Sequence, residues 1–126
     1  MAWCDDIRTA AKSTSLIVFP GVEISTHQGH VLGIFDVNTP QNIIEDLLIK
    51  LGIDRGKFGS LEVATDKGIV EMCTVIEGND GVAIAAHVDS ERGFMKLIRV
   101  GDERRRAYAA SNLRALEIVD LSQGER

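Results

Sequence analysis

The stretch Ser15-Leu16-Ile17-Val18-Phe19-Pro20-Gly21-Val22-Glu23, then Ile24-Ser25-Thr26-His27-Gln28-Gly29, then His30-Val31-Leu32-Gly33-Ile34-Phe35-Asp36, decides the fold. Residues 15–23 form an apolar run that reads as a buried strand, and residues 30–36 form a second. The polar turn Ser25-Thr26-His27-Gln28-Gly29 is too short for a helical crossover, so the two strands are expected to pair as a hairpin. A third run, Gly81-Val82-Ala83-Ile84-Ala85-Ala86-His87, is apolar on both faces, which predicts a strand in a sheet covered on each side. Each run carries a polar residue at one end: Glu23, His30 and His87. One carboxylate and two imidazoles at a common rim would make a metal site.

Outward from these strands the pattern turns helical. Residues 5–12 read as a short helix with Ile7, Ala10 and Ala11 on one side. Thr39 is the expected N-cap of a second helix and Pro40 its first position, with Ile43, Ile44, Leu47, Leu48 and Leu51 on one face and Gly52 as the stop. Residues 54–60 are charged and aperiodic, hence a surface loop. Thr65 or Asp66 is expected to cap a third helix with an Ile69, Met72, Cys73, Ile76 stripe, and Gly78-Asn79-Asp80-Gly81 turns the chain into the third strand. A loop and short helix are expected over residues 89–100, a basic helical stretch over 102–110, and a last strand over 115–119. Strands alternating with amphipathic helices place the chain in the α/β class.

The 126 residues suit one compact domain, which would bury roughly two-thirds of the surface exposed by its unfolded chain. No apolar run approaches the roughly 18–20 residues that span a bilayer, and no charged n-region precedes an h-region, so the expected location is cytoplasmic. A net charge of −5 disfavours broad adhesion to phosphate backbones. Arg104, Arg105 and Arg106, with Arg99 and Arg114 nearby, make a local basic segment; a solvated helix face is the simpler reading, a grip on a phosphorylated substrate the functional one. Cys4 and Cys73 lack the paired spacing of a zinc ribbon, and a disulfide is not expected in a reducing compartment.

Each candidate ligand has a bland reading beside it. Glu23 lies where a strand leaves the core, which is where open sheets and barrels place their chemistry, yet it also reads as an exposed strand-end glutamate. His27 sits in a polar turn and reads as solvated, whereas His30 opens an apolar strand and is better placed. His87 is delivered to a strand terminus by small and branched apolar residues, where a satisfied core histidine is the competing reading. There is no phosphate loop with a lysine, no nucleophile elbow and no His-Glu-x-x-His helix. Neither Ser25 nor Ser90 has a triad context, and Gly29-His30-Val31-Leu32-Gly33 lacks the third glycine of a dinucleotide turn.

Phe19-Pro20-Gly21-Val22-Glu23-Ile24-Ser25, then Gly29-His30-Val31-Leu32-Gly33-Ile34-Phe35-Asp36, then Gly81-Val82-Ala83-Ile84-Ala85-Ala86-His87-Val88-Asp89 resemble successive motifs of the PHP (polymerase and histidinol phosphatase) superfamily of metal-dependent phosphoesterases. Ala86-His87-Val88-Asp89-Ser90 and the later Ala107-Tyr108-Ala109 and Glu117-Ile118 resemble the branch in which a PHP domain precedes an AAA-like ATPase region. The likeness runs over residues 3–119.

The resemblance implies a distorted (β/α)7 barrel with up to three metal ions at the C-terminal rim of its strands. It implies that Glu23 is the bridging carboxylate and that His30 and His87 bind one of those metals. Family members also carry a His-x-His strand, a Thr-Asp-His segment and a final Asp-x-His strand, and none of these is in residues 1–126. The expected molecule is therefore one PHP-like domain, 1–126, incomplete at both ends. It would hold a single divalent ion (zinc, manganese or iron), with phosphoesterase activity impaired in the isolated chain. By the same resemblance its substrates would be phosphorylated small molecules, nucleotides or nucleic-acid ends, with an ATPase domain as partner. The alternative is a non-catalytic interaction or regulatory module keeping the fold and a remnant site. Apolar sheet edges left open by the absent strands predict a homo-oligomer.

Overall fold

The computed structural model describes residues 3–99, 101–120 and 122. Strand β1 (Gly21–Thr26) turns through His27 and Gln28 into β2 (Gly29–Ile34), and the two pair antiparallel as expected. The turn is held from within: the Thr26 hydroxyl donates to the Gly29 carbonyl at 2.8 Å and accepts the Gln28 N–H at 3.0 Å. Gly29 has φ +135°, and a Cβ there would lie 3.0 Å from the Phe94 nitrogen, so the position requires glycine on both counts. Strand β3 (Val82–Ala86) adds antiparallel to β2, and β4 (Leu113–Leu116) adds parallel to β3. The sheet order is β1-β2-β3-β4.

The α/β class is therefore observed as a small open, mixed four-stranded sheet, and no barrel closes among the described residues. Beyond β2, the only described partner of β1 is a single parallel bridge from Thr26 to Thr65, which leaves that edge of the sheet largely unpaired.

Helix α1 (Trp3–Ala11) is tied to the rest by Arg8, whose guanidinium donates to the Val37 and Thr39 carbonyls at 2.9 and 2.7 Å. Helix α2 (Gln41–Lys50) presents Ile44, Leu47 and Leu48 inward, and Gly52, at φ +80°, ends it. Helix α3 (Ile69–Glu77) buries the expected stripe of Ile69, Met72, Cys73 and Ile76. These side chains meet Ile24, Val31, Ala83 and Ala85 in one core. Short helix α4 (Phe94–Leu97) seats Phe94 in that core, and α5 (Asp102–Ala109) follows it. Val100, the end of the expected short helix, lies outside the described residues.

Five sequence expectations need correction. Residues 15–20 form no strand: Leu16 and Ile17 are 71% and 74% exposed. A continuous apolar run is buried as a strand only if sheet neighbours flank it, and here only the Pro20 carbonyl finds one, accepting from Phe35 N–H at 2.9 Å. The sheet is covered on one face, not two. Val31, Ala83 and Ala85 are buried against α2 and α3, while Leu32, Ile34 and Ile84 on the other face are half-buried and Val82 is exposed.

Thr39 does not cap α2. Pro40 itself is the N-cap: its ψ of 145° keeps it extended, so the helix starts at Gln41 and no side chain caps it. Neither Thr65 nor Asp66 caps α3; its first N–H is accepted by Gln28 Oε1 at 2.9 Å, across 41 residues. The last strand runs over Leu113–Leu116, and Glu117 continues its pairing by donating to the Ala85 carbonyl. No helix among the described residues is long and apolar enough to cross a membrane.

Burial pushes the Cys73 thiol up to about 11. The thiolate is the reactive form, so at pH 8 iodoacetamide is expected to label half-buried Cys4 in the native protein and to reach Cys73 only after denaturation. Equal native labelling of both, read by peptide mass spectrometry, would contradict this packing.

Candidate metal centre

The register of the hairpin puts two of the three candidate ligands together. Glu23 lies opposite Leu32 and His30 opposite Ser25, so Glu23 and His30 are diagonal neighbours on the same, open face. Diagonal positions lie roughly 7–8 Å apart at the backbone, within reach of long side chains. His30 Nδ1 accordingly sits 2.9 Å from Glu23 Oε1. His87 arrives from two strands away: Ala86 pairs with His30, and the next residue turns off the sheet toward the same carboxylate. His87 Nε2 is 3.3 Å from the same Glu23 oxygen. The two imidazoles meet edge to face, 4.9 Å between centroids.

His87 holds this position at a backbone cost. Its φ is +32°, a region a non-glycine residue enters only when its surroundings demand it. Three contacts supply the demand. The His87 N–H donates to Glu117 Oε2 at 2.9 Å, and the next N–H, of Val88, donates to the Glu117 carbonyl at 2.9 Å. His87 Nδ1 lies 3.0 Å from the Ser90 hydroxyl. The loop then folds back through Ser90 N–H to the His87 carbonyl and Gly93 N–H to the Ser90 carbonyl, both 2.9 Å. A Cβ on Gly93 would fall 2.3 Å from the His87 carbonyl oxygen, so no other residue closes this turn.

Asp89 ties down the following chain. Its carboxylate accepts the N–H groups of Val119 and Asp120 at 3.0 and 2.7 Å, and these bonds hold its pKa below the ordinary carboxylate value.

The donor set fits one divalent ion. Glu23, His30 and His87 offer one oxygen and two nitrogens within 4.8 Å of one another. Tetrahedral zinc, with bonds of roughly 2.0–2.1 Å, needs donors about 3.4 Å apart; the His87 pair on Glu23, at 3.3 Å, has that spacing, and the His30 pair, at 2.9 Å, would have to open to admit an ion. Two histidines and a carboxylate also leave a coordination position open, the arrangement of a catalytic rather than a structural zinc site. Tautomers follow from the geometry. With no ion, an Nε2 proton on His87 faces Glu23 and Nδ1 accepts from Ser90; with an ion on Nε2, the proton moves to Nδ1 and is donated to Ser90 Oγ. Both imidazoles are largely sheltered, at 19% and 26% side-chain exposure, against 47% for Glu23.

The three predicted ligands thus converge. His27 lies exposed at the hairpin turn, outside this group. Arg104, Arg105 and Arg106 sit on α5. Arg104 lies over the Tyr108 ring at 5.5 Å, Arg105 faces Asp102 at 3.7 Å, and none of the three lines the cavity that contains Glu23 and His30. Sequence reasoning missed Glu117 and Arg92. Glu117 is the polar residue inside the Leu116-Glu117-Ile118 run, and Arg92 is five residues past His87 in a polar loop that does line the cavity. No protein-family model matches the chain, and comparison with curated proteins and with solved structures likewise gave no match.

Outer partners of metal ligands typically contribute about 10–100-fold in affinity. Glu117→Ala is therefore expected to weaken zinc binding about tenfold by calorimetry, and Glu117→Gln, whose amide oxygen still accepts the His87 N–H, to stay near wild type. Equal affinities in all three proteins would remove Glu117 from the site.

Proposed function

We propose that this chain binds a single divalent ion, zinc, manganese or iron, through Glu23 Oε1, His30 Nδ1 and His87 Nε2, and acts on phosphoesters in the manner of a PHP-like domain. The observation that carries the metal reading is the convergence of two imidazole nitrogens, one from β2 and one from the turn after β3, on one carboxylate oxygen of β1. The phosphoester reading rests on the motif resemblance, which spans the same three residues. The open sheet would then be part of a PHP-type barrel completed by further strands.

A bound ion would supply Lewis-acid polarisation of a phosphoryl oxygen and of an attacking water. The chain's own residues do the positioning. Glu23 sets the distance between the imidazoles, Ser90 fixes the His87 ring, and Glu117 fixes its backbone. Three protein ligands complete one metal position, so catalysis by the isolated chain would be weak. Nucleotides or nucleic-acid ends are the substrate class that the resemblance suggests, with an ATPase domain as partner. Self-association is part of the same proposal. Exposed Leu16 and Ile17, beside the unpaired β1 edge, are surface that a second copy would cover.

Native mass spectrometry on untagged protein is expected to find about one zinc or manganese ion per chain. His87→Ala should lower the affinity by more than the roughly 10–100-fold typical of an outer-shell loss. Protein that takes up neither ion would overturn the metal reading. Hydrolysis of bis-p-nitrophenyl phosphate with Mn²⁺ should fall to background in His87→Ala. Equal rates in both proteins would favour a non-catalytic binding module instead. Light scattering at tens of micromolar should give at least a dimer, and a clean monomer would count against self-association.

A further inference from the structure

Along the outer edge of β1 lies a cavity of about 520 Å³, within the roughly 300–1,000 Å³ typical of small-molecule sites. Glu23 and His30 form part of its wall, so it opens directly onto the metal centre. Its charged lining is Arg8, Lys57 and Arg92 against Glu23 alone, three cations to one carboxylate in a chain whose net charge is −5. That local reversal of sign matches an anion.

The three cations are not equivalent. Arg8 is committed to the Val37 and Thr39 carbonyls and faces Asp5 at 3.7 Å, and Lys57 leans toward Asp54 at 3.9 Å, so both carry their own counter-charge. Arg92 is exposed and makes no hydrogen bond or ion pair among the described residues. It is carried on the tight turn that begins at His87 and closes at Gly93, so the element that delivers the histidine also delivers the guanidinium.

Most of the remaining wall is apolar: Ile7, Val18, Phe19, Phe58, Leu61 and Val63 contribute to it. Ile7 and Phe19 are 53% and 57% exposed, and Leu61, at 95%, stands only at the rim. The lining contains no Asp, Asn, Gln or Thr; its hydroxyls are those of Ser25 and Ser60, and Ser60 already accepts the Glu62 N–H. A ribose would bury hydroxyls here with few partners, at a desolvation cost that an aromatic or branched hydrocarbon escapes. An added β-strand is a poorer occupant, because the Ser25 carbonyl on that edge is already taken by the Thr65 N–H.

We infer that this cavity binds phosphomonoesters of an apolar, aromatic alcohol, with Arg92 holding the phosphate beside the metal centre and Phe19, Phe58 and Val63 enclosing the organic group. The choice of phosphate as the anion rests on the phosphoester reading above; the apolar body and the role of Arg92 rest on the cavity.

The test is calorimetric titration of metal-free and zinc-loaded protein with inorganic phosphate, 1-naphthyl phosphate and AMP. In the metal-free protein 1-naphthyl phosphate should bind at least about tenfold more tightly than either of the others, the gain expected from removing its ring from water. Arg92→Ala should weaken inorganic phosphate and 1-naphthyl phosphate alike, whereas Phe19→Ser should weaken only 1-naphthyl phosphate. Both side chains are exposed, so both variants should fold, and neither should change zinc uptake. Equal affinity for the three ligands, tighter binding of AMP, or wild-type binding in both variants would overturn the inference. Failure of the metal reading would show separately, as absent zinc uptake with the metal-free discrimination intact.

Discussion

The register of the β1–β2 hairpin is the constraint on which the rest of the structure depends. Thr26 and Gly29 close a two-residue turn, and that closure sets Glu23 opposite Leu32 and His30 opposite Ser25. Side chains alternate along a strand, so a slip by one residue would send Glu23 and His30 into the core and bring Ile24 and Val31 out to solvent. The apolar face prevents that slip. Ile24 and Val31 are 1% and 0% exposed, packed on α3, and burying a side chain of that kind is worth roughly 1.5–3 kcal/mol. Gln28 couples the same turn to α3 by accepting its first N–H, and to α5 through Glu103 at 3.2 Å. The core thus holds the register, and the register holds the ligands.

His87 depends on a different kind of restraint. Its strand ends at Ala86, and the residue itself sits in a strained conformation that packing does not impose. Hydrogen bonds impose it: the Glu117 carboxylate and carbonyl receive two consecutive N–H groups, and Asp89 draws in the backbone of Val119 and Asp120. The chain following β4 therefore acts as a clamp on the ligand loop. Being exposed, these bonds are weaker individually than buried ones, which makes this side of the site the more adaptable half. Arg92 rides on that half, so a ligand that engages it acts on the same loop that positions His87.

Much of this was legible in the residues. The apolar stripe of Ile69, Met72, Cys73 and Ile76, the hairpin, the bounds of β3 and the basic helix after Gly101 all follow from period, turn chemistry and composition, and they appear where those signals put them. The misplacements share a cause. Leu16 and Ile17 are as apolar as any core pair, but burial needs a neighbour, and the outer edge of β1 has little to offer. Thr39 and Thr65 have capping side chains in suitable positions, yet α2 begins one residue later, after an extended Pro40, and Gln28, remote in sequence, took the place of Thr65.

The sequence by itself determined the α/β class, the hairpin and the choice of Glu23, His30 and His87 as candidate ligands, although Glu23 lies inside β1 and not at a strand end, because local periodicity and turn residues act within a few positions. Tertiary structure alone decided that the sheet stays open, that one face remains half-bare, and that the three ligands meet on a single carboxylate oxygen. It also decided which cation lines the adjoining cavity: Arg92, and none of Arg104, Arg105 and Arg106. The reason is distance along the chain. His87 lies 64 residues from Glu23 and Glu117 another 30 beyond, and no local preference encodes contacts at such separations; only the packing of strands in a defined order brings them together.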